Sequence, residues 1–565
     1  MNIYLQICAV LVLIGLAVAP ASAWEADEYP IGFWYGPPPE ANTLDTWRIA
    51  KEANFTFCGP RGGYSVEDNP KMLGFCQQVG LKAMVTDGRI SWEMTAGDDW
   101  QKTVAEVVAD YGAHPALFGY YLQDEPNYRL FAPLGEVSAE FLKQDPKHLP
   151  YVNLFPTYAS VEQLGTPTYW DHLDCFLRLT KPAVLSYDHY CLMKDGSTRP
   201  DYFENLALIR EAGLRYDTPP WNIILSLPHF GYRDPTDAEM RWQVYTSLAY
   251  GMKGILYFTY WTALEWEAQN EIAIVDSKGK PGRLYPIVQQ LNAEMRTLGK
   301  TLLRLRSTGV FHTGEIPQGC ARLGGDAIVQ VPQDLPLLVG FFRDADGADY
   351  AMIANRDFSA AIEFEASFLP HVTAVHQLSA TGGEEEVLPL VDHKLKLTLA
   401  AGDGRLLRLA TDFDYPEPPK TLADLNFQFD GAGDLEGWEG FNSLTDPNVG
   451  AGHLTATFAG PDPFLSRSFL RVPADRYTKV RVRMKLASGS GTAQFFWTTG
   501  PEPSFADDKY LNFPVACDGE YHEYDLPVGR HSKWRGQTIR AIRLDPVTGG
   551  AERGSKVELD WVIGE

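Results

Sequence analysis

Two adjacent carboxylates, Asp124-Glu125, follow the apolar run Leu117-Phe-Gly-Tyr-Tyr-Leu122 and precede Pro126, which ends a strand and fixes the turn. A carboxyl at the end of a buried run is desolvated, and a like charge beside it raises its pKa further. Such a group keeps a proton near neutral pH and can deliver it as a general acid. Other carboxylates stand at comparable places: Asp87 with Arg89, Asp188 beside His189, and Glu265 with Glu267. Aromatic and polar residues accompany them, among them Trp34, Tyr35, Arg61, Asn127, Tyr187, His229 and Trp261. Sugars stack their C–H faces on aromatic rings and offer hydroxyls to carboxylates, so this mixture suits a carbohydrate. Hydrolysis of a glycosidic bond needs two carboxyl groups, one held protonated and one ionised. Glu125 is the first choice for the acid. Asp124 is placed to raise its pKa or to bind a ring hydroxyl.

A regular series of elements must position these residues. Between residues 30 and 303 the strand-like runs are Ile31–Tyr35, Asn54–Cys58, Lys82–Thr86, Leu117–Gln123, Tyr151–Leu154, Ala183–Tyr187, Asn222–Ser226 and Gly254–Phe258. Each is short and apolar, as suits the doubly buried strands of a parallel sheet. Helical periodicity fills the gaps. Trp100, Val104, Val107, Val108 and Tyr111 share one face; Met240, Val244 and Leu248 share another, opened by the capping box Thr236-x-x-Glu239. Ile287, Leu291, Met295, Leu298 and Leu302 form the last. Eight strand–helix pairs in this length predict an α/β fold, a (β/α)₈ TIM barrel, whose reacting groups belong at the C-terminal ends of the strands. A doubly wound open sheet fits less well, because no glycine-rich phosphate loop follows the first strand.

The strand-four ending in Glu-Pro resembles the Asn-Glu-Pro of the clan A glycoside hydrolases, in which that Glu is the acid/base. Gly254-Ile-Leu-Tyr-Phe-Thr-Tyr-Trp261 resembles their eighth strand, with the Trp that floors the sugar subsite. The flavour is nearest to the family 42 β-galactosidases, and the resemblance covers roughly residues 30–305. It implies an exported O-glycosyl hydrolase with Glu125 as acid and no cofactor. Two departures stand out. Asp124 occupies the position of the clan's Asn, and the end of strand seven reads Ser226-Leu-Pro-His229-Phe-Gly, where the clan has its nucleophilic Glu. Asp188 is the preferred second carboxylate, then Glu265 or Glu267, then Asp87. His189 and His229 can orient a carboxylate or bind hydroxyls. Two other readings remain open: a non-catalytic carbohydrate-binding barrel, and a lyase or metal-dependent hydrolase using Asp87, Asp188, His189 and His229. No local spacing such as HExxH supports a metal site, and none is expected.

After residue 303 the period changes to two. A small β-sandwich is expected over 304–411, with Leu338–Arg343 and Tyr350–Ala354 as a hairpin around Asp346-Gly347. A proline-rich linker follows at 412–421, then an all-β module over 422–565. In that module Val480, Val482, Met484 and Leu486 alternate with Lys479, Arg481, Arg483 and Lys485. Its opening Phe427-Gln-Phe-Asp-Gly and closing Leu559-Asp-Trp-Val-Ile resemble carbohydrate-binding jelly rolls. On that resemblance Trp497, Tyr510 and Trp534 are candidate sugar platforms or core aromatics, and Asp430 and Asp434 candidate ligands of a structural calcium.

Composition narrows the partners. The chain has 565 residues, with Lys+Arg 49 against Asp+Glu 73, a net charge of −24. That charge repels phosphate backbones and anionic membranes, which excludes nucleic acid as a partner. The apolar run Ile7–Ala19 followed by Pro20-Ala21-Ser22-Ala23 reads as a signal peptide cleaved after Ala23, giving a periplasmic or extracellular protein with no membrane span. The other cysteines form no zinc spacing, though a Cys58–Cys76 bridge is possible in an oxidising compartment.

Overall fold

The computed structural model describes residues 24, 26–60, 64–91, 95, 97, 99–325, 327–411, 424–468, 470, 472–499, 505–506 and 508–565. The expected signal peptide, Arg61 and the 412–421 linker lie outside the described residues. The chain forms two compact units that divide after residue 414.

The first unit opens with eight parallel strands: β1 (Ile31–Phe33), β2 (Phe57–Cys58), β3 (Lys82–Val85), β4 (Leu117–Asp124), β5 (Leu149–Leu154), β6 (Leu185–Asp188), β7 (Pro220–Leu225) and β8 (Gly254–Phe258). From β2 onward each strand pairs with the next in sequence, and β8 pairs with β1. The seam between β1 and β2 is closed by single bonds: the Thr56 N–H donates to Ile31 O (2.9 Å) and the Gly59 N–H to Phe33 O (2.8 Å). The result is the expected (β/α)₈ barrel.

Among the described residues, ten α-helices accompany the strands: α1 (Leu44–Glu52), α2 (Asp68–Val79), α3 (Trp100–Tyr111), α4 (Phe131–Gln144), α5 (Val161–Leu164), α6 (Tyr169–Thr180), α7 (Tyr202–Tyr216), α8 (Asp237–Ala249), α9 (Leu264–Glu267) and α10 (Tyr285–Leu302). The Thr236/Glu239 capping box opens α8 as the spacing predicts. The lumen is filled by large side chains, including Phe57, Phe118, Tyr151 and Trp221. Phe57 and Phe118 stack with ring centroids 4.0 Å apart. Glycines make room for them: a Cβ on Gly32 would lie 2.3 Å from the Phe57 ring, and one on Gly254 2.8 Å from Trp221. The core is packed, so chemistry is confined to its mouth.

The small β-sandwich follows without a break, in nine strands: β9 (Arg306–His312), β10 (Val329–Gln330), β11 (Leu337–Arg343), β12 (Asp349–Asn355), β13 (Ile362–Phe368), β14 (Val372–Leu378), β15 (Glu385–Leu388), β16 (Lys394–Leu399) and β17 (Gly404–Thr411). A six-stranded and a three-stranded sheet enclose Val339, Ile353, Phe364, Leu397 and Leu407. This sandwich rests on α8 of the barrel. A Cβ on Gly340 would lie 2.0 Å from Ala249 O, and the Trp242 ring meets Phe358 at 5.4 Å.

The second unit is a sandwich of two antiparallel sheets around one apolar core. In the strand Val480–Leu486 the residues alternate buried and half-buried, as the sequence pattern requires. Cys58 and Cys76, between which a bridge was possible, are buried in the barrel wall and form no disulfide. No described helix is long and apolar enough to cross a membrane.

Candidate active site

Three strand ends bring carboxyl groups together. β4 pairs with β5 through Asp124 and Asn153, and β5 with β6 through Asn153 and Ser186. Side chains two apart on a strand share a face, so Ser186 and Asp188 both turn inward. Asn153 Nδ2 donates to Asp124 Oδ1 (3.2 Å) and to Asp188 Oδ1 (2.8 Å). Its own Oδ1 accepts from Ser186 Oγ (3.2 Å), which in turn meets Tyr151 OH at 2.7 Å. A non-titrating amide thus sets the spacing of two carboxyl groups, and a buried hydroxyl pair holds the amide.

Glu125 leaves the strand in a left-handed conformation (φ 41°), with its N–H still bonded to Asn153 O at 2.8 Å. This turn brings its carboxyl into hydrogen-bonding contact with that of Asp188. Two carboxylates cannot make that bond unless they hold a proton between them. Burial, then repulsion from Asp124, pushes Glu125 up from 4.5 to about 7. Burial also pushes Asp124 up to about 6 against its bond from Asn153. Asp188 is driven well above the ordinary range by burial and by the charges of Glu125 and Asp124. At neutral pH the pair retains a proton that an isolated carboxylate would have lost.

Aromatic rings continue from this cluster around the mouth. Tyr121 neighbours Asp124 and Glu125 and meets Trp34 edge-on at 5.8 Å. Tyr35, which follows Trp34 and is also left-handed (φ 60°), lies 5.8 Å from Trp266 on α9. Trp266 reaches His229 at 6.2 Å, and His229 meets Tyr190 at 5.6 Å. Tyr190 closes the circuit, since the charges of Asp188, Asp124 and Glu125 all act on its hydroxyl. Tyr158, with Arg199 stacked 4.0 Å from its ring centre, joins the same wall through Tyr232 OH at 3.4 Å.

The sequence expectations divide accordingly. Glu125, Asp124, Asp188, Trp34, Tyr35 and His229 are gathered at the mouth. Asp87 is instead held bidentately by Arg89 (3.0 and 2.7 Å) and by Tyr111 (2.8 Å). Asn127 is spent on structure: its Nδ2 donates to the carbonyls of Glu162 and Gln163, and its Oδ1 accepts from the Arg129 N–H. Tyr187 lies on the opposite strand face from Asp188, fully buried toward the helices. His189 is buried against Asp201 at 3.3 Å, between Tyr158 and Tyr202. Trp261 is enclosed beneath Gly279 of the loop after β8 rather than flooring a subsite. Glu265 is exposed on α9.

Asn153 and Trp266 carry the site but were not singled out by sequence. Asn153 falls one position inside its strand, and Trp266 sits in a segment that reads as a solvated helix. Among the described residues no group of three or more His, Cys, Asp or Glu side chains is arranged to hold a metal ion. Asp87, Asp188, His189 and His229 therefore do not converge as ligands, and Asp430 and Asp434 do not form such a group. In the second unit Trp497 and Trp534 are core residues, bonded through Nε1 to Lys533 O and Ala474 O. Of the three candidates only Tyr510 is partly exposed, stacked 4.9 Å from Phe496.

The site so defined is a carboxyl cluster with an aromatic rim at the C-terminal mouth of a (β/α)₈ barrel. No protein-family model matches the chain, and no curated protein does. Among the solved structures similar to it are glycoside hydrolases of several families. A family 42 β-galactosidase from G. stearothermophilus, solved as a catalytic mutant, aligns with 10% identity over 68% of this chain and 98% of that one, at a TM-score of 0.47. A family 5 glycoside hydrolase from Bacteroides vulgatus aligns with 11% identity over 69% and 90%, at 0.44. A family 39 enzyme from Bacteroides cellulosilyticus aligns with 13% identity over 68% and 81%, at 0.40. Family 42 is not singled out among them.

Proposed function

We propose that the chain hydrolyses O-glycosidic bonds of an oligo- or polysaccharide, with Glu125 as the proton donor. The observation that carries this reading is the cluster of Asp124, Glu125 and Asp188, tied together through Asn153 at an aromatic-rimmed barrel mouth. A glycosidic oxygen is a weak base, and its departure needs protonation as the C–O bond breaks. Glu125 is the less buried member of the pair, so it meets the leaving oxygen. Asp188 is the second carboxyl. Once the proton has gone, the pair and Asp124 present negative charge toward a developing oxocarbenium ion in a water-poor setting, where such stabilisation is strongest. Trp266 and Tyr35 supply flat faces for the sugar's C–H bonds. The apolar run Ile7–Ala19 supports export as part of the same reading, with polymeric glycans as the substrates available outside the cell.

The end of β7 favours a second reading, because it carries no carboxylate: a barrel that binds sugar without turning it over. Sugar release by residues 24–565 across plant, algal and bacterial glycans, with Glu125→Gln in parallel, separates the two. Hydrolysis that falls at least a hundredfold in the variant supports the first reading. Release that survives the substitution removes Glu125 from the mechanism. Saturable sugar affinity without release supports the second.

A further inference from the structure

The shared proton has a consequence for the rest of the reaction. In glycoside hydrolysis the group that assists attack lies across the sugar from the acid, with the carboxyl groups about 5–5.5 Å apart for a nucleophile and about 6.5–9.5 Å for a base acting through water. Asp188 is hydrogen-bonded to Glu125 and lies on the same side as it. Three strands round the barrel from β4, past the end of β7 and beyond the ring of Tyr190, stands the imidazole of His229, which can take a proton.

Resting on the glycosidase reading, we propose that His229 is the general base of an inverting hydrolysis. Its ring is fixed for that task. Nδ1 lies 2.8 Å from Leu227 O, and a carbonyl only accepts, so the proton is on Nδ1 and Nε2 carries the lone pair. Tyr190, Tyr232, Phe230, Phe258 and Trp266 enclose the ring at centroid distances of 5.0 to 6.2 Å. Burial lowers its pKa below 6.5, so the imidazole is neutral where Glu125 still holds its proton. The charged groups acting on it are Glu271, which raises the pKa, and Lys194, which lowers it. These two pair at 2.9 Å and largely offset one another.

The step balances without a cofactor. A water oxygen bonds to the anomeric carbon as the bond to the leaving oxygen breaks. The water proton goes to His229 Nε2, and the proton shared by Glu125 and Asp188 goes to the leaving oxygen. Exchange with solvent then returns imidazole and the acid to their starting states. Configuration at the anomeric carbon is inverted.

The test is His229→Asn, whose side-chain amide can still donate to Leu227 O but cannot take a proton. Rate–pH profiles and the anomeric configuration of the first product, by proton NMR, are measured on the glycan that the wild type hydrolyses. The expected result is a kcat lower by about a hundredfold or more, in the range a general base supplies. KM should stay within about threefold, the acid limb of the kcat profile should disappear, and the wild-type product should be inverted. A retained configuration, an acid limb that persists, or a kcat within about tenfold of wild type overturns the assignment. Glu125→Gln run alongside separates the two ideas. Its inactivity beside an active His229→Asn ends the base assignment alone, and its full activity ends the acid assignment. A wild type that releases no sugar from any glycan ends both.

Discussion

Replacing Asp124 by asparagine tests whether the acid is tuned by its neighbour. The amide oxygen introduced by Asp124→Asn can still accept the bond that Asn153 Nδ2 now gives the carboxylate, so the scaffold survives and only the charge is lost. Glu125 stands about 2.5 above its ordinary 4.5, with burial the larger cause and Asp124 the next. Asp124 itself titrates at about 6, so it is mostly ionised wherever Glu125 is losing its proton. Assigning the neighbour about one pKa unit, or ~1.4 kcal/mol, moves the basic limb of kcat/KM from about 7 to about 6. At pH 8 the protonated fraction then falls from about 1/11 to about 1/101, a loss of roughly ninefold, while at pH 5 it changes by less than about a tenth. Initial rates between pH 4.5 and 9 at subsaturating substrate read this directly. A basic limb that stays in place or moves upward would refute the reasoning and leave burial as the whole cause.

Three other perturbations address the supports of the site. Asn153→Ala removes both bonds to Asp124 and Asp188 and should cost about 1–3 kcal/mol of stability at pH 8. The loss should shrink by pH 4, where the protonated carboxyls need the amide less, as denaturant titrations of the first unit would show. Asp87→Asn weakens a fully buried carboxylate's bonds to Arg89 and Tyr111, which outweigh burial and depress its pKa. A depressed carboxylate stabilises the fold above its unfolded pKa, near 3.9, and loses that contribution as pH falls through its folded value. The variant should therefore lose about 1–3 kcal/mol at pH 7 and converge on wild type as pH falls below the folded value, in thermal melts. Trp266→Ala should raise KM about tenfold, because the ring sits beside Tyr35 at the mouth; kcat should fall only as far as the His229 ring it packs against loses its place. A fall in kcat with unchanged KM would contradict that role.

Fold was legible where periodicity was strong. The eighth strand, Gly254–Phe258, matches its expected limits, and the α8 capping box stands where its Thr and Glu are spaced. The second strand reads as five residues in the sequence and pairs over two; left-handed Asn54 (φ 63°) sets the N-terminal limit of its extension, while Thr56 still bonds Ile31 and Lys82 on either side. The site was legible where a residue sat at a strand's end, as with Glu125 and Asp188. It was illegible where the decision lay in a half-turn of the chain. Tyr187 and Asp188 are neighbours in sequence, yet alternation sends one to the helices and the other to the lumen. One residue's difference in the end of a strand reverses which of such a pair meets substrate.

The same geometry explains why aromatic residues near a strand end divide between rim and core. Trp261 follows β8 by three residues, and its N–H is still bonded to Tyr35 O at 2.9 Å. Its ring is therefore carried under the loop that includes Gly279, where bulk at the glycine position would strike it at 2.9 Å. Trp266 follows β8 by eight residues and rides on the short helix α9, free of the sheet. It can reach over the mouth toward Tyr35 and His229 because no barrel ladder bond fixes its backbone near the lumen. Distance from the last ladder bond, more than residue type, decides which tryptophan reaches the mouth. On that argument the exposed Phe230, left-handed at φ 45° in the loop beyond β7, belongs with the rim. Phe230→Ala should raise KM for longer glycans while leaving the shortest hydrolysed substrate unchanged. An equal effect on both would place the ring at the cleavage point instead.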